Sequence, residues 1–222
     1  MPMLKNTKPA PVIRTGPKPS FDWDRALSWS QISSFEYDKE QWYRKYVLKQ
    51  KQPTTPAMEF GKTTGERIEK DKKYLPQIPR QIVMEYEFEA VYEFKFRIHQ
   101  KKRVKLTGFA DSFGDAIFRL EEYKTGKISK PWTQKRADQH GQITMYLFMK
   151  WLKERIPPER FTCGLHWMPT EELPDGTVQF VEPIEDYIKH FETKRTMKDL
   201  REFAQRIERS IEAMVSYCES HP

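Results

Sequence analysis

From residue 82 the chain alternates. Met84, Tyr86, Phe88 and Ala90, then Tyr92, Phe94, Phe96 and Ile98, take every second position, and Glu85, Glu87, Glu89, Glu93, Lys95 and Arg97 fill the places between them. A period of two places one side-chain set on each face of a strand, so 82–98 is predicted to be a long half-exposed strand, bent near Glu89 and Ala90. Gln100, Lys101, Lys102 and Arg103 predict the turn that follows. Residues 104–113 and 116–123 predict two more strands, making three antiparallel strands in series. Upstream the period lengthens. Ile32, Phe35, Trp42, Tyr43, Tyr46 and Val47 recur at three- and four-residue steps, predicting a helix over 31–46 capped by Ser28 or Ser30. A second helix is predicted over 58–74, ended by Leu75 and Pro76. Downstream, 133–155 predicts a helix stopped by Pro157 and Pro158. Residues 161–168 predict a strand, and 170–176 a turn into a strand at 177–181. The last element, 184–218, is predicted as one amphipathic helix, with Leu200, Phe203, Ile207, Ile211 and Met214 at helical spacing.

This order predicts a single domain over 21–222. Residues 1–20 carry prolines at positions 2, 9, 11, 17 and 19 among Lys5, Lys8, Arg14 and Lys18, a composition that cannot bury a core and predicts a mobile basic tail. The formal net charge of +7 favours a polyanionic partner, and the tail and the Lys49–Lys51 loop could grip phosphates without sequence preference. Fourteen Phe, ten Tyr and six Trp supply enough apolar surface to exclude disorder over most of the length. Cys163 and Cys218 are the two cysteines, which argues against a disulfide scaffold and for a reducing compartment. No apolar run approaches the ~20 residues that span a bilayer, and no signal-peptide core is present, so the expectation is a cytoplasmic protein with no membrane partner. His99, His140, His166, His190 and His221 lack the spacing of a zinc site. Gly61, Lys62 and Thr63 lack the upstream glycine of a phosphate loop, position 56 being Pro56, so no nucleotide cofactor is expected.

The chemistry concentrates in residues 108–126. Glu122 and Lys124 are two apart and leave the same face of a strand. Asp111 stands ten intervening residues earlier, and the polar stretch Ser112, Gly114, Asp115 predicts a hairpin that brings it beside Glu122. Neighbouring carboxylates repel unless a hard divalent cation lies between them. A lysine on the same edge suits an anionic substrate or a developing negative charge. Together they fit metal-assisted phosphodiester hydrolysis. The bland alternative is a solvent-facing hairpin in which Lys124 pairs across strands with the two acids.

Four blocks resemble the RecB-like branch of the PD-(D/E)XK nuclease superfamily: Leu27, Ser28, Ser30 and Ile32; Gly61 through Ile68 and Glu69; Gly108, Phe109, Ala110 and Asp111 with Glu122, Tyr123 and Lys124; and Gln142 with Tyr146. The resemblance covers residues 27–168. It implies an α/β (α+β mixed) restriction-endonuclease-like core, a central mixed sheet flanked by helices, and a metal-dependent deoxyribonuclease, an exonuclease by preference, in recombination, repair or phage DNA metabolism. It further implies Mg²⁺ or Mn²⁺ held by Asp111, Glu122 and the backbone carbonyl of Tyr123, with Lys124 orienting the attacking water. Gln142 and Tyr146, on one helical face, would meet the DNA backbone or support the metal site, and Lys127 would also meet DNA. A bacterial or phage origin is implied, with any helicase or recombination partner on another chain; oligomeric state is unreadable. Two departures stand out. The branch's metal-binding histidine is replaced by Gly65, so Glu66 or Glu69 substitutes for it or the site works without one. The two cysteines cannot supply the four thiolates of an iron–sulphur cluster, so none is expected. A catalytically inactive DNA-binding module and an RNA-processing nuclease on the same fold are the rival readings.

Overall fold

The alternating stretch forms β1 (Val83–Phe96), which pairs antiparallel along its length with β2 (Gln100–Gly114). The computed structural model describes residues 20–97 and 100–221. All but the last position of the predicted basic tail lies outside the described residues, as do Ile98 and His99. Along β1, Phe88, Phe94 and Phe96 are buried while the glutamates between them face solvent. Each such ring contributes roughly 1.5–3 kcal/mol on burial, so the register is set by keeping these rings inside. That register moves the turn. Gln100 and Lys102 pair with Phe96 and Phe94, so the polar quartet 100–103 opens β2 rather than turning, and Lys101 reaches Glu93 at 3.4 Å.

β2 continues through a 3₁₀ turn (Asp115–Ile117) and a left-handed Phe118 (φ 51°) into β3 (Arg119–Lys127), antiparallel to it. The chain then crosses over through α4 (Gln134–Asp138) and α5 (Gly141–Glu154) to β4 (Thr162–Glu172), which lies parallel to β3. β5 (Val178–Phe180) and β6 (Lys189–Thr193) both pair antiparallel with β4. The chain is thus α+β, with a mixed six-stranded sheet in the order β1-β2-β3-β4-β5 and β6 beside β4, flanked by helices. Against one face pack α1 (Trp29–Tyr37), α5 and α7 (Met197–Ser220); against the other packs α3 (Pro56–Lys70) with α6 (Ile184–Tyr187). Among the described residues no helix is long and apolar enough to cross a membrane.

Three predicted helices are interrupted. The 31–46 helix stops at Tyr37 because Asp38 leaves the helical region (φ −151°) and its carboxylate accepts from Gln41 N at 2.9 Å, capping α2 (Lys39–Trp42); a π-helical turn (Tyr43–Val47) follows. Asp prefers a cap to a helix interior because its short side chain competes for backbone N–H groups. The 133–155 helix breaks at His140, where Arg195 takes the carbonyl oxygens of Ala137 and His140 at 3.1 and 3.3 Å. The 184–218 element is a short helix, an edge strand and then α7, which starts at a reciprocal cap between Thr196 and Asp199.

Candidate active site

Asp111 and Glu122 are brought together by the β2–β3 register. Ser112 pairs with Glu121, so the two acids lie across from one another, and Tyr123 N donates to Asp111 Oδ2 at 2.5 Å. Glu122 is fully buried and Asp111 half-buried. Burial, followed by the charge of Asp111, pushes Glu122 up to about 8; burial likewise raises Asp111, although Lys124 and the Tyr123 amide offset part of it. Lys124 Nζ donates to Glu122 Oε1, and burial works against its charge, yet Glu122 and Asp111 together hold it above the usual lysine range. Glu122 Oε2 is buried and without a hydrogen-bond partner among the described residues. Leaving a buried carboxylate oxygen unpaired is costly. An oxygen-only pair of acids with one orphaned, buried acceptor is chemically suited to a hard divalent cation.

Lys124 continues into the predicted Gln–Tyr pair on α5. Its ammonium donates to Gln142 Oε1 at 3.1 Å, Gln142 Nε2 donates to the Tyr146 hydroxyl at 2.5 Å, and that hydroxyl donates to Phe109 O. Tyr146 thereby grips the backbone two residues before Asp111. This explains Gly108, where a Cβ would come within 2.7 Å of the Tyr146 ring. The helix and the Gly108–Asp111 segment are two halves of one contact.

The strand is also distorted here. Gly108 faces Tyr146 and Phe113 lies under Lys150, both on α5. An odd separation on one face requires the pleat to slip between them. Across from Asp111 in the hairpin register, between the pairs Met84–Ser112 and Tyr86–Ala110, stands Glu85 with a left-handed φ of 49°. Glu85 is exposed, yet partial desolvation raises its pKa, and the charges of Asp111 and Glu69 raise it further. Glu85 is a site neighbour that the strand pattern placed with the solvent-facing acids. A turn at 100–103 would have set Tyr92 across from Asp111; the observed turn sets Glu85 there.

The other candidates are placed as follows. Glu69 lies on the exposed side of α3 with its charge felt by Glu85. Glu66 lies between Lys62 and Lys70 at 3.8 and 4.0 Å. Gly65 has no atom within 4 Å of where a Cβ would stand. Lys127 is paired with Glu172 at 2.6 Å. Trp132 is buried, with the Arg136 guanidinium 4.0 Å from its ring centre and His140 edge-on at 5.1 Å. Among the described residues, no three acidic, His or Cys side chains converge closely enough to hold an ion.

Behind the site, on the opposite face of β3, lies a polar network that the histidine spacing gave no sign of. Glu121 accepts from Arg119 at 2.6 Å and Gln81 at 3.0 Å, and meets His166 Nε2 at 2.7 Å; His166 Nδ1 lies 2.6 Å from His190 Nδ1. Burial opposes its charge, but His166 and Arg119 hold Glu121 below the ordinary carboxylate range. Gly164 makes room for it, since a Cβ there would fall 1.9 Å from Glu121 Oε2. The network ties β3 to β4 and β6 directly beneath Glu122 and Lys124.

No family model and no curated protein matches this chain by sequence. Among solved structures it is similar to that of SSO0001, with 12% identity over 87% of this chain and 78% of that one and a TM-score of 0.47. It is also similar to two structures of LHK-Exo, an alkaline exonuclease from Laribacter hongkongensis. The complex with dAMP gives 10% identity, 87% and 90% coverage and a TM-score of 0.42; the other gives 11%, 87% and 90%, and 0.40.

Proposed function

We propose that this chain is a metal-dependent nuclease of the RecB-like PD-(D/E)XK type, hydrolysing DNA phosphodiester bonds with Mg²⁺ or Mn²⁺. The observation that carries this reading is the Asp111–Glu122–Lys124 group with the buried, orphaned Glu122 Oε2. Asp111 and Glu122 would hold the cation, with the Tyr123 carbonyl as a further oxygen ligand. When bound, such an ion polarises the phosphate and lowers the pKa of a coordinated water. Lys124 is held charged between the two acids, placed to orient the nucleophile and to stabilise the negative charge that develops on the phosphoryl oxygens. Gln142 fixes the Lys124 ammonium from the side away from Glu122, and Tyr146 fixes Gln142. An exonuclease acting in recombination, repair or phage DNA metabolism, with any unwinding supplied by a partner chain, follows from the motif resemblance. Residues 21–222 are proposed to act as one nuclease domain.

Asp111→Ala should abolish cleavage while retaining the fold, as read by circular dichroism. Lys124→Ala should lower kcat by at least about a hundredfold with DNA affinity changed far less. An equal loss in both would contradict its catalytic role. The noncatalytic DNA-binding reading draws on one observation, that no three ligating side chains converge; it predicts metal-independent DNA binding without cleavage.

A further inference from the structure

Two carboxylates are a sparse set for a hard cation that takes six or more oxygens, and α3 offers Glu66 and Glu69 as further acids. Glu66 is engaged there with Lys62 and Lys70. Glu69 lies on the exposed side of α3. Its charge is felt by Glu85, while the acids acting on Glu122 are Asp111 and Glu85. Glu85 lies across from Asp111 in the hairpin, between the pairs Met84–Ser112 and Tyr86–Ala110, and the charge of Asp111 bears on it. Like charges at such a position are destabilising, and a left-handed φ of 49° in a residue other than glycine or asparagine adds strain. Glu85 makes no hydrogen bond or ion pair among the described residues. Its side chain is therefore free to swing toward Asp111. Glu122, which also feels the charge of Glu85, has its Oε2 buried and without a partner among the described residues.

We infer that Glu85, set opposite Asp111 by the β1–β2 register, supplies the third carboxylate of a divalent-cation site formed with Asp111 and Glu122. The inference rests on the nuclease reading above and deepens it. Among the described residues no three ligating side chains converge, so Glu85 must turn to reach the pair. It rotates inward when positive charge enters, relieving its repulsion from Asp111. Glu85 is exposed, like Glu87 and Glu89, and so has room to turn.

The test is direct Mn²⁺ binding, followed by electron paramagnetic resonance of the free ion, with melting temperatures in EDTA and in Mn²⁺. Wild type is compared with Glu85→Gln, Glu85→Gly, Glu69→Gln, Glu87→Gln and Asp111→Asn. Glu85→Gly suits the left-handed backbone and so keeps the test open should the glutamine variant fold poorly. Both Glu85 variants should weaken Mn²⁺ binding at least about tenfold, shrink the Mn²⁺-induced rise in Tm, and melt in EDTA no lower than wild type. Glu69→Gln and Glu87→Gln should stay within about twofold of wild type. Mn²⁺ binding unchanged in both Glu85 variants but lost in Asp111→Asn would overturn the role of Glu85 and leave the site standing. Loss in Glu69→Gln with Glu85 unaffected would overturn it in favour of α3. Absence of Mn²⁺ binding by wild type would overturn the metal site itself.

Discussion

Glu122 sits where a carboxylate is hardest to ionise, and its consequence can be read without any substrate. Its pKa in the folded chain, pushed up to about 8 by burial and by Asp111, exceeds its ordinary value. The native state therefore holds a proton that the unfolded state has released, and stability falls as pH rises through that window. His140 works the other way: burial, followed by the charges of Lys124, Arg195 and Arg136, pushes it down to about 3. Its contribution makes stability rise with pH up to the ordinary histidine pKa near 6.5. Between about pH 6.5 and 8 the Glu122 effect is left to act without that opposition. In EDTA the Tm of wild type should fall over this interval, and Glu122→Gln should flatten the slope; calorimetry reads both. At this scale the sequence was informative for Asp111, Glu122 and Lys124, because strand parity and a short hairpin place them with little freedom. Glu85 was illegible. Its position depends on where a remote turn falls, and polar residues 100–103 look like a turn until Phe94 and Phe96 are required to stay buried.

At the scale of elements, the contact between α5 and β2 carries the site. Tyr146 fills the space a Cβ on Gly108 would need and holds the carbonyl of Phe109. Gly108→Ala should destabilise the fold by about 1–3 kcal/mol through overpacking, measured by urea denaturation, and should lower cleavage further by displacing the strand that presents Asp111. The α4–α5 break is maintained by Arg195, which is buried and donates to Thr144 and Thr193 at 2.8 and 2.6 Å as well as to three carbonyls. Replacing Arg195 with Met should cost about 2–4 kcal/mol, since several buried acceptors lose their donor together. An unchanged denaturation midpoint would show the break to be held by other contacts. Helical periodicity revealed where these helices lie but not where they break. A break at His140 preserves the phase of Ile143, Leu147 and the residues around them, and the arginine that stabilises it lies more than fifty positions away. The edge strand β6 was missed for a similar reason: Lys189–Thr193 has little apolar content of its own and becomes a strand by pairing with β4.

Across the whole molecule, the sheet separates two cores and carries different chemistry on its two faces. The face under α5 holds Glu122 and Lys124; the face toward α3 holds Glu121 clamped by Arg119, Gln81 and His166. Alternation along one strand, β3, thus sends one glutamate to a site that leaves its Oε2 without a partner among the described residues and the other to a satisfied environment. That contrast separates a reactive carboxylate from a structural one. The order of helix, three antiparallel strands, helix and strand was legible in the sequence because each element announces itself by period. The parallel pairing of β3 with β4 follows from the crossover between them.

If the paired acids of β2 and β3 hold a cation that drives phosphodiester hydrolysis, cleavage of DNA must need both the ion and Asp111. That requirement is tested most directly by incubating the protein with end-labelled linear DNA and with closed circular DNA, in Mg²⁺, Mn²⁺ or EDTA, wild type beside Asp111→Ala. Linear DNA should be degraded with either ion, EDTA and the substitution should each abolish this, and the closed circle should survive. Cleavage that persists in EDTA or in Asp111→Ala, or DNA that is bound under every metal condition and never cut, would contradict it.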